Sequence, residues 1–253
     1  MIAISKSAAK SGGLLFLLSI SFLHAAYPFV GEILDYEVNY GPGTLGNASM
    51  QVRETKNSNE LEIITGAKNN GWLGKMYPVN DSVKSTVSAD SLLPKVFNQK
   101  LSEKKYRRNT LIVYDFESKK AIIKDTASKA SKFIHGIDTA ITLNGNERCI
   151  LSAFYLVRTL NLKPGDTVFF DAISGVKKYK LKVICHKKET IETALGKKDC
   201  IVIEPVIYGD GLFNAKGKLT IWLTDDAEKL PVLMKSKVFL GSIEVALIGV
   251  RKN

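Results

Sequence analysis

Apolar and polar side chains alternate along most of the chain from residue 31 onward. The first such segment, EILDYEVNY, begins at Glu32 and carries Tyr36, Val38 and Tyr40 at every second position. Successive side chains of a strand point to opposite faces, so a period of two predicts strands that bury one face. The same pattern recurs in ASMQVRET, LEIITGAK, LIVYDFES, AIIKDT, TVFFDAI, KYKLKVICHKKE, CIVIEPVIYG, GKLTIWLTD, PVLMKSKVF and SIEVALIGV.

Short turns that contain Gly, Asp, Asn and Lys join most of these segments. Many strands joined by short turns are typical of an antiparallel meander. The sequence therefore predicts a mainly β protein in which the meander forms a curved sheet or an open barrel. No shift in composition marks a boundary, so we expect a single β-rich domain over residues 27–253.

One segment, ERCILSAFYLVRTLNL, departs from the alternation. Ile150, Ala153, Phe154 and Val157 recur at the spacing of one helical face, and KPGD closes the segment. This pattern predicts one main amphipathic helix of about three turns, packed against the curved sheet or inside it. The preceding stretch, residues 124–146, is polar and contains glycine, which predicts a mobile connection.

The N-terminus has the composition of a secretory signal peptide, predicted over residues 1–25. Two lysines precede an uncharged apolar run, and Ala25 or Ala26 offers a cleavage site. The run is shorter than the roughly 20 residues that a membrane-spanning helix needs. No cysteine follows it before Cys149. We therefore expect an exported, periplasmic, soluble bacterial protein that is not lipid-anchored.

The chain is basic, with a formal net charge of +11 at pH 7. A basic exported protein is attracted to an anionic membrane surface or an acidic wall polymer. The sequence contains no nucleic-acid recognition motif, and we expect no nucleic-acid partner.

Two basic clusters could form an anion-binding surface, or only a solvated outer face that protects the sheet from aggregation. Alternate residues of a strand share a face, which groups the lysines of the second cluster. The candidates are Lys104, Lys105, Arg107 and Arg108 in the first cluster and Lys178, Lys180 and Lys182 in the second.

Three cysteines are present in a chain that we expect to enter an oxidising compartment. Cys185 and Cys200 lie in consecutive predicted strands and could form a disulfide across a hairpin. Three buried, unpaired cysteines are the alternative. The spacing of cysteines and histidines matches no zinc site, so we expect no metal.

Asp225 and Asp226 end the segment GKLTIWLT, and Pro231 opens the next strand-like segment. Aspartate is favoured in turns because its side chain hydrogen-bonds nearby backbone, and proline is tolerated at the first position of a strand. These residues are therefore interpreted as parts of a hairpin turn. Catalysis would need a second group within hydrogen-bond reach. The sequence shows neither such a group nor a hydrolase, phosphate-binding or dinucleotide motif, so we expect no enzyme activity and no cofactor.

Aromatic side chains could line a ligand cavity inside a curved sheet, although each could equally pack in the core. The candidates are Trp72, Tyr77, Tyr155 and Trp222. Arg158 joins them as a ligand-binding candidate because it lies on the apolar stripe of the predicted helix. It either extends to the surface or meets a carboxylate such as Asp225 or Glu204.

Four stretches occur in order along the chain: FVGEILDYEVNYG, LSAFYLVRTLNLKPGD, ETALGKKDCIVIEP and LTIWLTDDAEKLPVLMKSKVFLGSIEVAL. Together they resemble the bacterial exported family known as domain of unknown function 3108. The resemblance implies a periplasmic, mostly antiparallel β protein and implies no activity. FYLVR and ALGKK differ modestly from the family's usual pattern. A fainter likeness to the half-barrels of lipoprotein-localisation carriers rests on one hairpin and concerns architecture alone.

The hypothesis that best fits these features is a periplasmic, non-enzymatic protein that binds a lipid-like or amphipathic ligand of the envelope. One alternative is a structural or interaction protein in envelope assembly. Another is a hydrolase of wall glycan or peptide that uses Asp225, Asp226 or Glu204. The sequence determines no oligomeric state.

Overall fold

The structure is a computed structural model that describes residues 27–57, 59–69, 75–208, 218–238 and 241–252. The expected signal peptide and Trp72 lie outside the described residues. Within these residues, fourteen strands form one antiparallel sheet, and helix α1 covers Ile150–Val157. The strands are β1 (Glu32–Tyr40), β2 (Gly43–Glu54), β3 (Glu60–Asn69), β4 (Asn80–Ser88), β5 (Pro94–Glu103), β6 (Tyr106–Asp115), β7 (Lys120–Lys129), β8 (Lys132–Thr142), β9 (Thr167–Ser174), β10 (Lys177–Thr193), β11 (Gly196–Tyr208), β12 (Leu219–Thr224), β13 (Pro231–Val238) and β14 (Gly241–Lys252).

The sheet consists of two meanders joined side by side. Its order runs β8-β7-β6-β5-β4-β3-β2-β1-β14-β13-β12-β11-β10-β9. The chain thus starts in the middle at β1 and steps outward to the edge strand β8. It then crosses to the opposite edge at β9 and steps back to β14, which pairs with β1. Helix α1 lies in this crossing between the two edges.

The helix position requires the sheet to be strongly curved. Helix α1 contacts both β4 and β9, which are nine strand spacings apart in the sheet order. With neighbouring strands about 4.8 Å apart, a flat sheet would separate them by roughly 40 Å. An eight-residue helix is only about 12 Å long. The sheet therefore curls around the helix, which confirms the prediction of a curved sheet or open barrel with a helix packed against it or inside it.

The core is divided into two clusters that meet at the helix. Leu151 and Tyr155 point into the larger cluster, which β1 to β7 dominate. Ala153 and Val157 point into a smaller one formed mainly with β10 to β12. Helix α1 thus buries residues on two sides, and this explains why its apolar positions extend around much of its circumference.

Helix α1 is shorter than the sequence predicts. It begins after Cys149, whose Sγ accepts a hydrogen bond from the backbone N–H of Ser152 at 3.3 Å. Beyond Val157 the backbone tightens, because Thr159 donates its N–H to the Leu156 carbonyl three residues earlier, at 3.0 Å. The Thr159 hydroxyl donates to the same carbonyl at 2.7 Å. Competition of this kind commonly ends a helix.

The predicted mobile connection over residues 124–146 is wrong. Residues 120–129 form β7, and residues 132–142 form the edge strand β8. Most β8 side chains are exposed, because β8 has a neighbour on one side only. Its position depends on backbone pairing with β7, which a search for an apolar period cannot detect.

Of the two alternatives for the cysteines, the structure has three free, buried thiols and no disulfide between Cys185 and Cys200. Cys185 lies opposite Ile203, whereas Cys200 lies opposite Glu189. The register also shifts between Cys185 and Lys187, so the two cysteines do not lie opposite each other. Both thiols are free and buried. Cross-strand bonding requires the two residues to lie opposite each other, and the sequence pattern did not determine the register.

No helix among the described residues combines the length and the apolar character that crossing a membrane requires.

Candidate ligand cavity

An apolar cavity lies between helix α1 and the second meander. It has a volume of about 170 Å³ and is called the helix cavity below. Its lining is apolar throughout: Met50, Ile150, Leu151, Ala153, Phe154, Val157, Leu181, Val183, Ile203, Pro205, Leu219, Ile221 and Met234. The helix spacing that predicts an amphipathic stripe therefore directs one face of the helix into this space. Ile150 is partly exposed and lies at the rim.

A second cavity adjoins the first, where strands near opposite edges of the sheet approach each other. This edge cavity, of about 150 Å³, is lined by Phe97, Gln99, Arg108 and Thr110 from β5 and β6, and by Ala172, Ile173, Ser174, Gly175, Tyr179 and Leu181 from the β9–β10 hairpin, together with Ile150. Ile150 and Leu181 line both cavities. An apolar compartment and a compartment with polar groups thus share a wall.

The polar groups of the edge cavity are organised around Asp125. Arg108 donates from Nε to Oδ1 of Asp125 at 2.9 Å and from Nη2 to Oδ2 at 2.7 Å. Thr110 donates its hydroxyl to Oδ1 at 2.8 Å, and Nε2 of His135 lies 3.2 Å from Oδ2. Burial raises the pKa of the Asp125 carboxyl, but the hydrogen bonds from Arg108 and Thr110 outweigh it and hold the pKa below its usual value. Asp125 is therefore ionised at neutral pH and matches the charge of Arg108.

The other predicted basic residues are mostly engaged as well. Tyr179, Leu181 and Val183 are buried between the alternating lysines of β10, so the lysines share the outer face. Lys178 lies 2.7 Å from Glu147, and Lys180 lies 2.6 Å from Asp171. Lys182 also has an interaction partner. The positive charge of this face is thus largely matched by carboxylates.

The residues of the first basic cluster make contacts of several kinds. Lys104 lies 5.8 Å from the centre of the exposed Tyr77 ring, and Lys104 and Lys105 form the turn between β5 and β6. Arg107 donates to the carbonyls of Lys104 and Tyr106. Arg108 alone turns inward, to Asp125.

The three aromatic candidates that the structure describes, Tyr77, Tyr155 and Trp222, do not line the helix cavity. Tyr77 lines a separate surface cavity of about 270 Å³. Tyr155 is fully buried, with its ring edge against Phe29 and its hydroxyl 3.1 Å from Glu32. Trp222 donates its indole N–H to Glu189 at 3.0 Å.

Arg158 has a different partner from those suggested by the sequence. It neither reaches the surface nor meets Asp225 or Glu204. Its guanidinium forms a two-point pair with Glu32, and the exposed fractions of the two side chains are 0% and 2%. Asp225 instead lies 2.5 Å from Lys188, and Glu204 contacts Lys218 and His186. Glu32 and Arg158 are 126 positions apart, so local pattern could not have paired them.

The two aspartates lie in the turn between β12 and β13. Oδ1 of Asp226 accepts hydrogen bonds from the backbone N–H groups of Glu228 and Lys229, each at 3.0 Å. The Thr224 hydroxyl donates to the same oxygen at 2.7 Å. Pro231 is the first residue of β13. Asp226 thus holds the turn, and among the described residues no three His, Cys, Asp or Glu side chains converge as a metal site would require.

Comparison with known families gives one match. The model of the family described as "Protein of unknown function (DUF3108)" matches residues 35–248. The chain belongs to the DUF3108 family. The resemblance inferred from the four sequence stretches is therefore confirmed. No curated protein matches the chain.

Three solved structures resemble this DUF3108 chain. A β-barrel-like protein of the DUF1849 family from Brucella abortus has a TM-score of 0.58 at 10% identity, over 88% of this chain and 97% of that one. A protein described as a lipoprotein from Parabacteroides distasonis has a TM-score of 0.39 at 11% identity, over 89% and 99%. A protein from Bacteroides fragilis, described as exported and of YmcC-like fold, has a TM-score of 0.36 at 10% identity, over 90% and 100%. The first of these supports the β-barrel-like fold, and neither it nor the family description names a catalytic activity.

Sequence reasoning missed the polar part of the candidate site, although a signal was present. In β7, Asp125 is in phase with Ala121, Ile123 and Ala127, all of which are buried. In β6, Arg108 is likewise in phase with the buried positions Thr110, Ile112 and Tyr114. A charged residue on the apolar face of a strand must be paired inside the protein. Two such residues of opposite charge in neighbouring strands therefore predict that they form a pair with each other.

Proposed function

We propose that this DUF3108 chain is a non-enzymatic binding protein of the bacterial periplasm that holds an amphipathic, lipid-like ligand in the helix cavity. The observation that carries the proposal is the lining of that cavity, where helix α1 and strands of both meanders contribute apolar side chains without a polar group among them. Ligand pockets are mostly apolar and often lie between packed elements.

The free energy of an empty cavity supports a binding role. Protein interiors are close-packed, and voids larger than a water molecule are few. At about 24 cal/mol per Å³, a cavity of this volume would cost roughly 4 kcal/mol if it were sealed and empty, and less where its rim is open to water. Larger side chains at the small position Ala153 would remove that cost. A ligand that fills the space offsets it instead.

Periplasmic localisation is part of the same proposal. It rests on the N-terminal composition, in which two lysines precede a short apolar run and small residues follow. A carrier of apolar molecules has a clear use between two membranes, because its ligands are poorly soluble in water.

The test compares two helix variants that add similar bulk. Val157 lines the helix cavity, whereas its neighbour Leu156 does not. Val157→Phe should weaken the binding of an apolar fluorescent dye by more than about tenfold, because it occupies the cavity. Leu156→Phe should leave dye affinity within about twofold of the unmodified protein. Equal affinities for the two variants would refute the helix cavity as the binding site.

A second measurement addresses the native ligand. Protein purified from its own envelope under gentle conditions should carry a lipid-like molecule that native mass spectrometry detects. Val157→Phe prepared in the same way should come out without it. Protein that is fully empty in both forms would count against the proposal.

One observation favours a second function, an interaction role in envelope assembly. The edge strand β8 carries Phe133, which is 74% exposed, and the half-exposed Ile134. Unpaired strand edges with apolar side chains are prone to pair with another chain. Crosslinking from position 133 in intact cells should then give one dominant protein adduct, and Phe133→Lys should abolish it.

The hydrolase alternative gains no support from the carboxylates that would serve it. Asp226 is occupied by the turn, and Asp225 and Glu204 are paired with lysines. Asp225 and Asp226 line one open cavity of about 570 Å³ with Thr159 and Arg158, but the contacts of both carboxylates are those of a turn and an ion pair.

A further inference from the structure

One residue that lines the edge cavity, Tyr179, has a buried hydroxyl without a hydrogen-bond partner. Among the described residues, four buried side-chain oxygens lack one: those of Tyr36, Tyr114, Ser152 and Tyr179. Of these four, Tyr179 is the one that lines a cavity described above. Tyr179 is only 7% exposed. Buried polar groups are nearly always paired, and each exception calls for a physical explanation.

The surroundings of Tyr179 supply further donors but little net charge. Arg108 lines the same cavity, and Asp125 receives two of its N–H groups. A guanidinium has five N–H groups, so Arg108 can also donate to a second acceptor. The charge of Arg108 is already matched by the ionised Asp125, next to which lies His135. Gln99 and Ser174 complete the polar part of the lining.

This balance disfavours an ionised ligand group. A buried anion needs an unmatched cation, and its desolvation otherwise outweighs what hydrogen bonds return. An uncharged oxygen such as a carbonyl needs donors alone. Tyr179 and Arg108 provide donors, and the Arg108–Asp125 pair remains intact.

We propose that the edge cavity receives the polar end of the amphipathic ligand, and that this end is an uncharged hydrogen-bond acceptor, such as the carbonyl of an acyl ester or amide. This inference rests on the proposed function, because it places the hydrocarbon part of the ligand in the helix cavity. Ile150 and Leu181 line both cavities, so the two cavities are adjacent, and the proposal places one molecule across them. The Tyr179 hydroxyl donates to the carbonyl oxygen.

The experiment uses three probes with the same hydrocarbon length: methyl octanoate, octanoate and n-octane. Each is titrated at pH 8 against the purified chain loaded with a displaceable apolar dye. Methyl octanoate should bind most tightly. Tyr179→Phe should weaken its binding by about 3- to 10-fold, the loss expected for one hydrogen bond. The same variant should leave n-octane unchanged within about twofold, since no hydrogen bond is involved.

Tyr114 provides a matched control. Its hydroxyl is also buried and without a partner, but it does not line the edge cavity. Tyr114→Phe should therefore leave the affinity for all three probes unchanged. Thermal unfolding of both variants should show unchanged or higher stability, because each removes an unpaired buried hydroxyl. A loss of affinity without a loss of stability then identifies a ligand contact.

The possible results separate the two proposals. If n-octane and methyl octanoate bind equally well and Tyr179→Phe changes neither, the polar subsite is refuted while the helix cavity stands as a binding site. Tighter binding of octanoate than of methyl octanoate would also overturn the uncharged end group. If none of the probes displaces the dye, the proposed function itself fails.

Discussion

Two arginine–carboxylate pairs in this protein each join a guanidinium to a buried carboxylate at two points, and they have different surroundings. Arg158 and Glu32 join the end of helix α1 to β1, with 0% and 2% of their side chains exposed. Arg108 and Asp125 join β6 to β7, with 27% and 2% exposed. Both guanidinium groups bind their carboxylate at two points. The difference lies in what else each arginine contacts.

Arg158 uses its remaining donors on the backbone. Nε donates to the carbonyl of Lys229 at 3.1 Å, and Nη2 donates to that of Glu228 at 3.0 Å. Its guanidinium also lies about 5 Å from the ring centres of Phe29 and Tyr155. It thereby connects the helix, β1 and the β12–β13 turn. Arg108 instead borders a cavity, so the same pairing fixes structure in one region and shapes a candidate ligand subsite in the other.

Removal of one partner of the structural pair should have the largest effect on stability. Glu32→Ala leaves Arg158 buried without its anion, and we expect a loss of about 3–5 kcal/mol in the free energy of unfolding measured with urea. The double variant Glu32→Leu with Arg158→Met should recover most of this loss, since it leaves no buried charge. A loss below about 1 kcal/mol for Glu32→Ala would show that the Arg158–Glu32 pair contributes no more to stability than a surface ion pair.

Removal of the carboxylate from the Arg108–Asp125 pair should lower the free energy of unfolding less than Glu32→Ala does. It should have a larger effect on which ligands bind. Asp125→Asn should cost about 1–3 kcal/mol, because the partly exposed Arg108 can be hydrated. It also leaves Arg108 as an unmatched cation in the edge cavity. Octanoate affinity should then rise by about tenfold or more, as for a charged hydrogen bond.

Asp138→Asn is the control for this variant. Asp138 lies on β8, is exposed and contacts Lys124 at 3.6 Å. It should change neither stability nor octanoate binding. An unaltered octanoate affinity in Asp125→Asn would contradict the charge balance that we assign to the edge cavity.

The smallest expected effect is a dependence of stability on pH. The pKa of Asp125 is lower in the folded chain than in the unfolded one, where it is about 3.9. Its stabilising contribution is therefore fully present above about pH 4 and is lost as the pH falls through the folded value. The stability difference between the unmodified chain and Asp125→Asn should narrow below pH 4. A difference that stays constant to pH 2 would argue against an ionised Asp125.

Much of the fold could be predicted because its strands alternate, and the exceptions have physical reasons. The pattern in EILDYEVNY and its successors identified strands that bury a row of apolar side chains on one face. It missed β4, where Ser85 and Val87 are the buried positions, β5, where Pro94 and Phe97 are buried, and the mostly exposed β8. Such strands are determined by backbone pairing with their neighbours, a signal that side-chain pattern does not carry.

The candidate site was predictable in kind rather than in detail. The spacing of Ile150, Ala153, Phe154 and Val157 identified the helix face that now lines the helix cavity. The choice of aromatic residues was less informative, because an aromatic in a strand can face the core, a neighbouring carboxylate or the solvent with the same local pattern. Which carboxylate meets Arg158, and which cavity Tyr179 borders, depends on contacts between residues far apart in sequence.

The pairing of β1 with β14 has a consequence for how the protein folds. Glu32 lies opposite Lys252, so the joint in the middle of the sheet is formed by the first and the last strand of the domain. During synthesis β1 can pair with β2 early, but its other edge must wait until β14 has been made. Contacts of such sequence separation carry a high loop-closure entropy and form slowly. The two meanders can therefore assemble independently, and their union should be a late step that closes the sheet around the helix.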